Sequence, residues 1–527
     1  MSHPIGFLRR AGSSSPRLRR PSRRAYGRVS RRPPPAGPAA LPAPAAHPAP
    51  AALPAPAGLR LRRDPGLTSL NGGTVLLGGS PYRLIRLAPA AAAQVDSWWR
   101  GTPVPGNTPA RMLARRLLDA GMAHPEPGEG PAASEVTVVI PVRDRVAELT
   151  RCLAGLAGAA GAGVIVVDDC SDDPGAVAAV TAAAGARYIR RSRSGGPAAA
   201  RNTGLAEVAT PFVAFLDSDC VPEPGWLTPL MRHFSDPAVA AVAPRIVPHE
   251  EGQRWLARYE GIRSALDMGP AESIVRPGAP VPYVPCAALV VRKEAAGGGF
   301  AEDMHVGEDV DFVWRLVAWG WHVRYEPRAA VAHQHRVHLR EWFARRRDYG
   351  TSAAPLEQRH PGTVPAVTMS GWSAAAWLAA VAGCPGTGAA IVAGTTAVLA
   401  RRLAPYTDGA LPLAGRIAGA GTIAAGRLLG SALARTWWPI ALPVAAAVPR
   451  LRLPLAALVV APPLLDWRER RPAMDPVSYA AARLLDDVAY SVGVWQGCLE
   501  RRTARPLAPR LWWWSRAGEP GGPRPRP

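Results

Sequence analysis

Lysine is almost missing from this chain: Lys293 is the single lysine among 62 basic residues, so the formal charge of +22 is carried by arginine. Such a charge admits nucleic acid, anionic lipid or a phosphorylated substrate as partner, and it equally follows from a drift of composition towards Ala, Arg, Gly and Pro. Cysteine is sparse and scattered. Cys152, Cys170, Cys220, Cys286, Cys384 and Cys498 form no CxxC pair, which argues against a zinc ribbon or a disulfide framework and fits a reducing compartment. Residues 1–56 lack the continuous apolar stretch of a signal peptide. They hold Arg-Arg steps and an Ala-Pro run from Pro33 to Pro56, too poor in apolar surface to fold, so a disordered arm is expected there. Charge is absent from Ala366 to Ala400, a length that suffices to cross a bilayer.

What is present divides the remaining chain. Over 57–123 a small unit is expected, with strand-like runs at Thr74–Leu77 and Arg83–Leu87 around the turn Gly78-Gly79-Ser80-Pro81. Helices should follow over Pro89–Arg100 and from Thr108, read as an N-cap before Pro109, with Gly121 ending the second. Two strands and two helices in that span suggest a winged-helix-like module. Residues 134–345 alternate strand and helix: Val136–Val142, Val164–Val167, Ala186–Ile189 and Pro211–Leu216 are apolar runs separated by helical spacing, such as Val146, Leu149, Leu153 and Leu156. The pattern predicts an α/β, doubly wound sheet whose upper edge binds a nucleotide.

Residues 362–470 read as a membrane-associated helical region. Cys384-Pro385-Gly386 interrupts the first apolar run, so two helices in a hairpin or one span both satisfy it, and Trp437–Val448 and Leu453–Leu465 are too short to cross. Arg401, Arg402, Arg468, Arg470 and Arg471 flank these segments and favour a cytoplasmic placement of those ends, in a protein associated with the cytoplasmic face of the membrane or crossing it once or twice. Over 471–527, Asp475-Pro476 opens an amphipathic helix towards Glu500, followed by a tail.

The chemistry concentrates at strand ends. Asp217 and Asp219 follow Phe212–Leu216, and alternate positions on extended chain point the same way. Two hard oxygen ligands there suit Mg²⁺ or Mn²⁺ bound to a diphosphate, although Asp-Ser-Asp is also a common surface turn. Asp168-Asp169 ends the second strand, Val164–Val167, where a carboxylate accepts from a base edge or a ribose, with helix capping by Asp172 or Asp173 in the next turn as the plainer role. Gly195-Gly196-Pro197 leads into Arg201-Asn202, whose amides and guanidinium suit phosphate, or an internal ion pair. Glu308-Asp309 opens a helix, where acids are favoured by the dipole and where one of the pair can act as general base for an acceptor hydroxyl.

Taken together, Thr137–Asp144, Val166–Ser171, Arg201–Gly204, Leu216–Asp219 and Gly307–Asp309 resemble the family 2 glycosyltransferases of the GT-A fold, over about residues 135–340. That resemblance implies inverting transfer of a sugar from a nucleoside diphosphate donor. It puts Pro141, Arg143 and Asp169 near the base, Asp217 and Asp219 on the metal diphosphate, and Asp309 in the role of general base. His333 or His335 would add a metal ligand, with a buried or capping role as the simpler reading. Where the family often has Asp after Gly-Gly-Phe, this chain continues Gly298-Gly299-Phe300 with Ala301-Glu302. The stretch Gly307–Asp311 followed by Trp314-Arg315, the leading module and the hydrophobic tail are similar to the mycofactocin glycosyltransferases. This closer resemblance implies a peptide-chaperone-like module, UDP-glucose as donor, a ribosomal-peptide-derived redox cofactor as acceptor, and β linkages. No nucleic acid is expected as partner. A polyprenyl-phosphate or cell-envelope polysaccharide glycosyltransferase is the alternative, and a non-catalytic basic protein binding membrane or nucleic acid is the distant one.

Overall fold

The computed structural model describes residues 53–157, 161–249, 254–335 and 338–513. The arm expected over 1–56 falls outside the described residues as far as position 52, as does the tail beyond 513.

Val136–Val142 has no polar face to offer water, and the strand it forms, β6, is buried at all seven positions. Before it come β1 (Arg60–Arg63), β2 (Thr68–Leu70), β3 (Val75–Gly78), β4 (Arg83–Arg86), α1 (Pro89–Trp99), α2 (Thr108–Asp119) and β5 (Ala123–Glu126). Strands β2, β3 and β4 make an antiparallel meander, and β1 pairs with β5. The second helix begins one residue earlier than its Thr-Pro step suggested: Asn107 is the cap, accepting from the Ala110 amide at 3.0 Å, and Thr108 is the first helical residue. Both side chains are competent caps, so the sequence alone left the start ambiguous by one residue.

The main sheet has nine strands in the order β10-β14-β11-β13-β9-β6-β7-β8, with β12 added on β14. Its members are β6, β7 (Gly163–Asp168), β8 (Arg187–Arg190), β9 (Phe212–Leu216), β10 (Cys220–Pro222), β11 (Val239–Pro248), β12 (Ser273–Val275), β13 (Ala288–Arg292) and β14 (His322–His333). The β6–β9 part is parallel, as expected. The rest is mixed: β13 runs antiparallel between β9 and β11, and β10 and β12 are antiparallel to β14. The sheet as a whole is therefore mixed, with a parallel part at β6–β9. β13 begins at the edge where β9 ends, Ala288 opposite Leu216, and runs back beside it, and the apolar run Ala288–Arg292 carries no mark of its direction. Helices α3 (Val146–Leu156), α4 (Pro174–Ala183), α5 (Gly196–Glu207), α6 (Leu227–Arg232), α7 (Trp255–Arg263) and α8 (Glu308–Ala318) connect the strands. Two apolar clusters, one around Phe215, Phe300 and Phe312 and one around Ile140, Leu149 and Leu216, form the core.

Beyond the sheet the chain is helical: α9 (Leu339–Thr351), α10 (Ala353–Arg359), α11 (Gly371–Val381), α12 (Pro385–Leu403), α13 (Ala410–Ala432), α14 (Trp438–Ala447), α15 (Arg452–Arg470) and α16 (Pro476–Glu500). A small parallel pair, β15 (Val367–Ser370) with β16 (Pro509–Trp512), joins the two ends of this region. The uncharged run from Ala366 to Ala400 forms the hairpin α11–α12, broken at the Cys384-Pro385 step. Asp475 caps α16, accepting from the Val477 and Ser478 amides at 3.1 and 2.9 Å. Among the described residues, Ala410–Arg435 is the one helix long and apolar enough to cross a membrane, and a third of it is buried inside the protein. Leu403, Leu413 and Ala414 bury against Leu77 of the leading sheet.

Small residues bring these helices close, as they do where helix association cannot rely on large side chains. α9 and α16 cross at Gly350 and Gly493, where a Cβ on Gly493 would stand 1.8 Å from the Arg347 carbonyl oxygen and one on Gly350 2.1 Å from that of Tyr490. Backbone, unlike a side-chain tip, cannot move aside. Gly493→Ala is expected to destabilise the protein by about 1–3 kcal/mol, the usual cost of overpacking, read as a lower denaturant midpoint.

Candidate active site

The site is assembled from turns that follow parallel strands. At the end of β7, Asp168 is buried, accepting from the Tyr188 hydroxyl at 2.7 Å and the Ser171 amide at 2.8 Å. Asp169 turns to the segment before α5: it accepts from the Gly196 amide at 2.8 Å, the Gly195 amide at 3.0 Å and the Ser194 hydroxyl at 2.8 Å, and pairs with Arg191. Burial alone would make it a weaker acid, but these donors outweigh burial and hold Asp169 below the usual carboxylate range. Arg143 donates to Ser194 at 3.0 Å from an exposed position, and Pro141 lies in β6 opposite Val167. Asp144 and Cys170 hold positive φ angles of 56° and 68°, and Asp144 bridges the two turns through the Ser171 hydroxyl and the Asp172 amide. Asp173 caps α4 by accepting from Ala176 at 3.0 Å. Pro141, Arg143 and Asp169 thus form one group.

A second group centres on Arg201. α5 can lie directly on β6 because Gly204 has no side chain; a Cβ there would meet Val139 Cγ1 at 2.3 Å. This seats the buried Arg201 guanidinium under the sheet edge, 5.5 Å over the Phe300 ring. Nη2 donates to Asp217 Oδ1 at 2.7 Å and Nη1 to Glu308 Oε1 at 2.8 Å. Burial and the neighbouring Asp309 raise Glu308 to about 6, against the opposing pull of Arg201. Asp309 is half-buried, one oxygen 2.8 Å from the Val310 amide and the other 3.3 Å from that of Cys286. Asp219 pairs with Arg145, and its Oδ1 lies 3.6 Å from His333 Nε2.

Asn202 is the one predicted site residue set apart from both groups. Its amide clasps the turn after Gly299: Oδ1 accepts from the Phe300 amide at 2.8 Å, and Nδ2 donates to the Phe300 carbonyl and to Glu302, each at 2.9 Å. His335 lies beside His333, ring centroids 5.4 Å apart, and burial holds it down at about 4.

Sequence reasoning missed Arg145, Arg191, Arg345 and Tyr283. Arg145 immediately follows the Pro-Val-Arg-Asp motif and was within reach of it. Arg345 shares the electrostatic neighbourhood of Asp217 and Glu308, and Tyr283 that of Asp309, but neither falls in a recognisable pattern.

Among the described residues, no three His, Cys, Asp or Glu side chains converge tightly enough to cage a cation alone. The residues present still fit a divalent ion that arrives with a diphosphate. Burial keeps His333 neutral, its Nδ1 has no hydrogen-bond partner, and its Nε2 points to Asp219 two residues from Asp217. Hard oxygen and imidazole donors on one side leave the other side for phosphate oxygens and water.

Residues 137–296 match the family described as Glycosyl transferase family 2. The chain is 44% identical over 465 residues, 84% of this chain and 95% of the relative, to the Pre-mycofactocin glycosyltransferase of Mycobacterium tuberculosis strain CDC 1551 / Oshkosh. Among solved structures it is similar to a mannosyltransferase from Pyrobaculum calidifontis in complex with GDP-Man and Mn²⁺, at 19% identity, 64% of this chain, 90% of that one and a TM-score of 0.34. GalNAc-T7 with UDP, GalNAc and Mn²⁺ gives 15% identity, 41% and 45% coverage and a TM-score of 0.32. A GT-A-like sheet with strand-end carboxylates, and identity spanning nearly the whole relative, leave one conclusion: the chain is a family 2 glycosyltransferase and belongs to the pre-mycofactocin glycosyltransferases.

Proposed function

We propose that this glycosyltransferase moves glucose from UDP-glucose, with inversion, onto a hydroxyl of the peptide-derived mycofactocin precursor and extends it as a β-linked oligosaccharide. The observation that carries the reading is the Arg201 bridge. One buried guanidinium ties Asp217, at the end of β9, to Glu308, at the start of α8, the neighbour of Asp309. Pro141, Arg143 and Asp169 hold the uridine end, with Asn202 keeping the Phe300 turn in place. Asp217, Asp219 and His333 would hold Mg²⁺ or Mn²⁺, which when bound supplies positive charge against the departing diphosphate. The Asp309 carboxylate takes the proton of the acceptor hydroxyl. As its oxygen bonds to the anomeric carbon, the carbon–oxygen bond to the diphosphate breaks and UDP leaves with that electron pair.

The tail supports a place at the cytoplasmic face of the membrane. Trp372, Leu378, Leu411, Ile423, Ile440, Leu442 and Leu453 are exposed on α11–α15, more apolar surface than a monomer in water ordinarily shows. α13 carries Arg416 and Arg427 and is partly covered by the leading module, which favours a helix lying on the bilayer. The same surface favours a lipid-linked acceptor as second reading. Purified protein offered UDP-glucose with pre-mycofactocin or with a polyprenyl phosphate separates the two, and glucose on the lipid alone rejects the first. Chelation is expected to reduce transfer at least about a hundredfold, restored by Mn²⁺ or Mg²⁺; full activity in chelator would refute the Asp217–Asp219 role.

A further inference from the structure

The C-terminal helices reach the catalytic cleft. The turn of π-helix over Leu433–Trp437, between α13 and α14, presents Arg435, a departure from α-helix of a kind often found at functional sites. Arg435 sits 3.7 Å over the Tyr490 ring and 3.3 Å from Asp487, with Tyr283 among its neighbours. Although hemmed in by these groups, its side chain keeps 39% of its surface. The guanidinium is thus held by Tyr490 and Asp487 while part of the side chain stays accessible. Tyr283 shares its neighbourhood with Asp309, and its loop is fixed by the Trp314 indole donating to the Pro282 carbonyl at 2.8 Å and by Cys286 on Asp309. On the remaining side, Arg345 lies 4.8 Å over the Tyr349 ring, and the close crossing at Gly350 brings Tyr349 and Tyr490 onto adjoining turns.

Resting on the reading of Asp309 as base, we propose that Tyr283, Tyr349, Tyr490, Arg345 and Arg435 form the acceptor-binding wall, and that it selects a planar ring carrying an electron-rich carbonyl or carboxylate oxygen. Three phenol rings and two guanidinium planes offer flat faces for stacking, and Arg435 has donors beyond the one turned to Asp487. Burial pushes Tyr283 up to about 12, so its hydroxyl stays neutral and able to donate. On the proposed reading the donor's uridine and diphosphate ends are served from β6, β7, β9 and α5, leaving this side of Asp309 for the incoming hydroxyl.

The test uses the full-length protein with Arg435→Gln and Tyr490→Leu. With UDP-glucose saturating and pre-mycofactocin varied, the acceptor KM should rise about tenfold or more, while UDP affinity by calorimetry with Mn²⁺ changes less than about twofold. Arg435→Lys should recover part of the loss. An unchanged acceptor KM overturns the proposal, and so does a parallel loss of UDP affinity, which would put these residues at the donor. Should either variant fail to reach the parent melting temperature, Tyr283→Phe, one hydroxyl smaller, carries the same comparison. For the ring, 4-hydroxyphenylacetate should compete with the acceptor better than its saturated analogue, 4-hydroxycyclohexylacetate, and equal competition overturns the planar class. If Asp309→Asn keeps its turnover while the Arg435 variants still shift the acceptor KM, the base assignment fails and the wall stands.

Discussion

Asp309→Asn is expected to lower kcat by about 10²–10⁴-fold, the range that a positioned general base contributes. Asparagine has the shape of aspartate and keeps an oxygen for the Val310 or Cys286 amide, so the start of α8 should hold its geometry. What it loses is the capacity to take the acceptor proton. The loss should therefore appear in kcat, with UDP and Mn²⁺ binding unchanged by calorimetry. Glu308→Gln is the necessary comparison. Glu308 is buried against Arg201, and Asp309 is the half-buried member of the pair with access to the cleft. If the Asp309 variant turned over within tenfold of the parent, proton removal would have to belong to another group.

The parts of this protein that the sequence disclosed are those in which burial leaves a local trace. A strand covered on both faces must be apolar at every position, and Val136–Val142 and Phe212–Leu216 are. Acids at strand ends and at a helix start then marked Asp169, Asp217 and Asp309, because carboxylates are seldom placed so close to a core without a use. Direction within a sheet has no such trace. β13 pairs with β9 across a separation of some seventy residues, and Ala288–Arg292 reads the same in either direction. α13 escaped notice for a different reason: Arg416 and Arg427 interrupt its apolar run, although Gly426 and Gly430 carry the four-residue spacing of a close helix contact. Arg435, Tyr490 and Tyr349 lie apart from every motif, and the packing of α16 on α9 and on the π-turn brings them together. Its signal, Gly493 and Gly497, was present in a helix read only as amphipathic.

Removing the central cation should cost the fold as well as the chemistry. Arg201→Met strips the partner from Glu308, whose side chain keeps only 9% of its surface, and half-uncovers Asp217. Breaking a buried pair from one side costs about 3–5 kcal/mol, because the remaining charge stays desolvated. The pH dependence has a definite sign. Glu308 already titrates at about 6, above its ordinary range, so the folded protein binds that proton more tightly than the unfolded chain does. Stability from this group is present in full below the unfolded value and is lost as pH rises through the folded one. Without Arg201 the folded value moves higher still, so the denaturant midpoint of Arg201→Met should fall more steeply between about pH 5 and pH 8 than that of the parent. Adding Glu308→Gln removes the stranded charge and should restore most of the midpoint and flatten its pH dependence, while turnover stays lost because Asp217 has no anchor. A single variant as stable at pH 8 as the parent would mean that Arg201 bridges nothing of consequence, and the link between the donor carboxylates and the base helix would have to lie elsewhere.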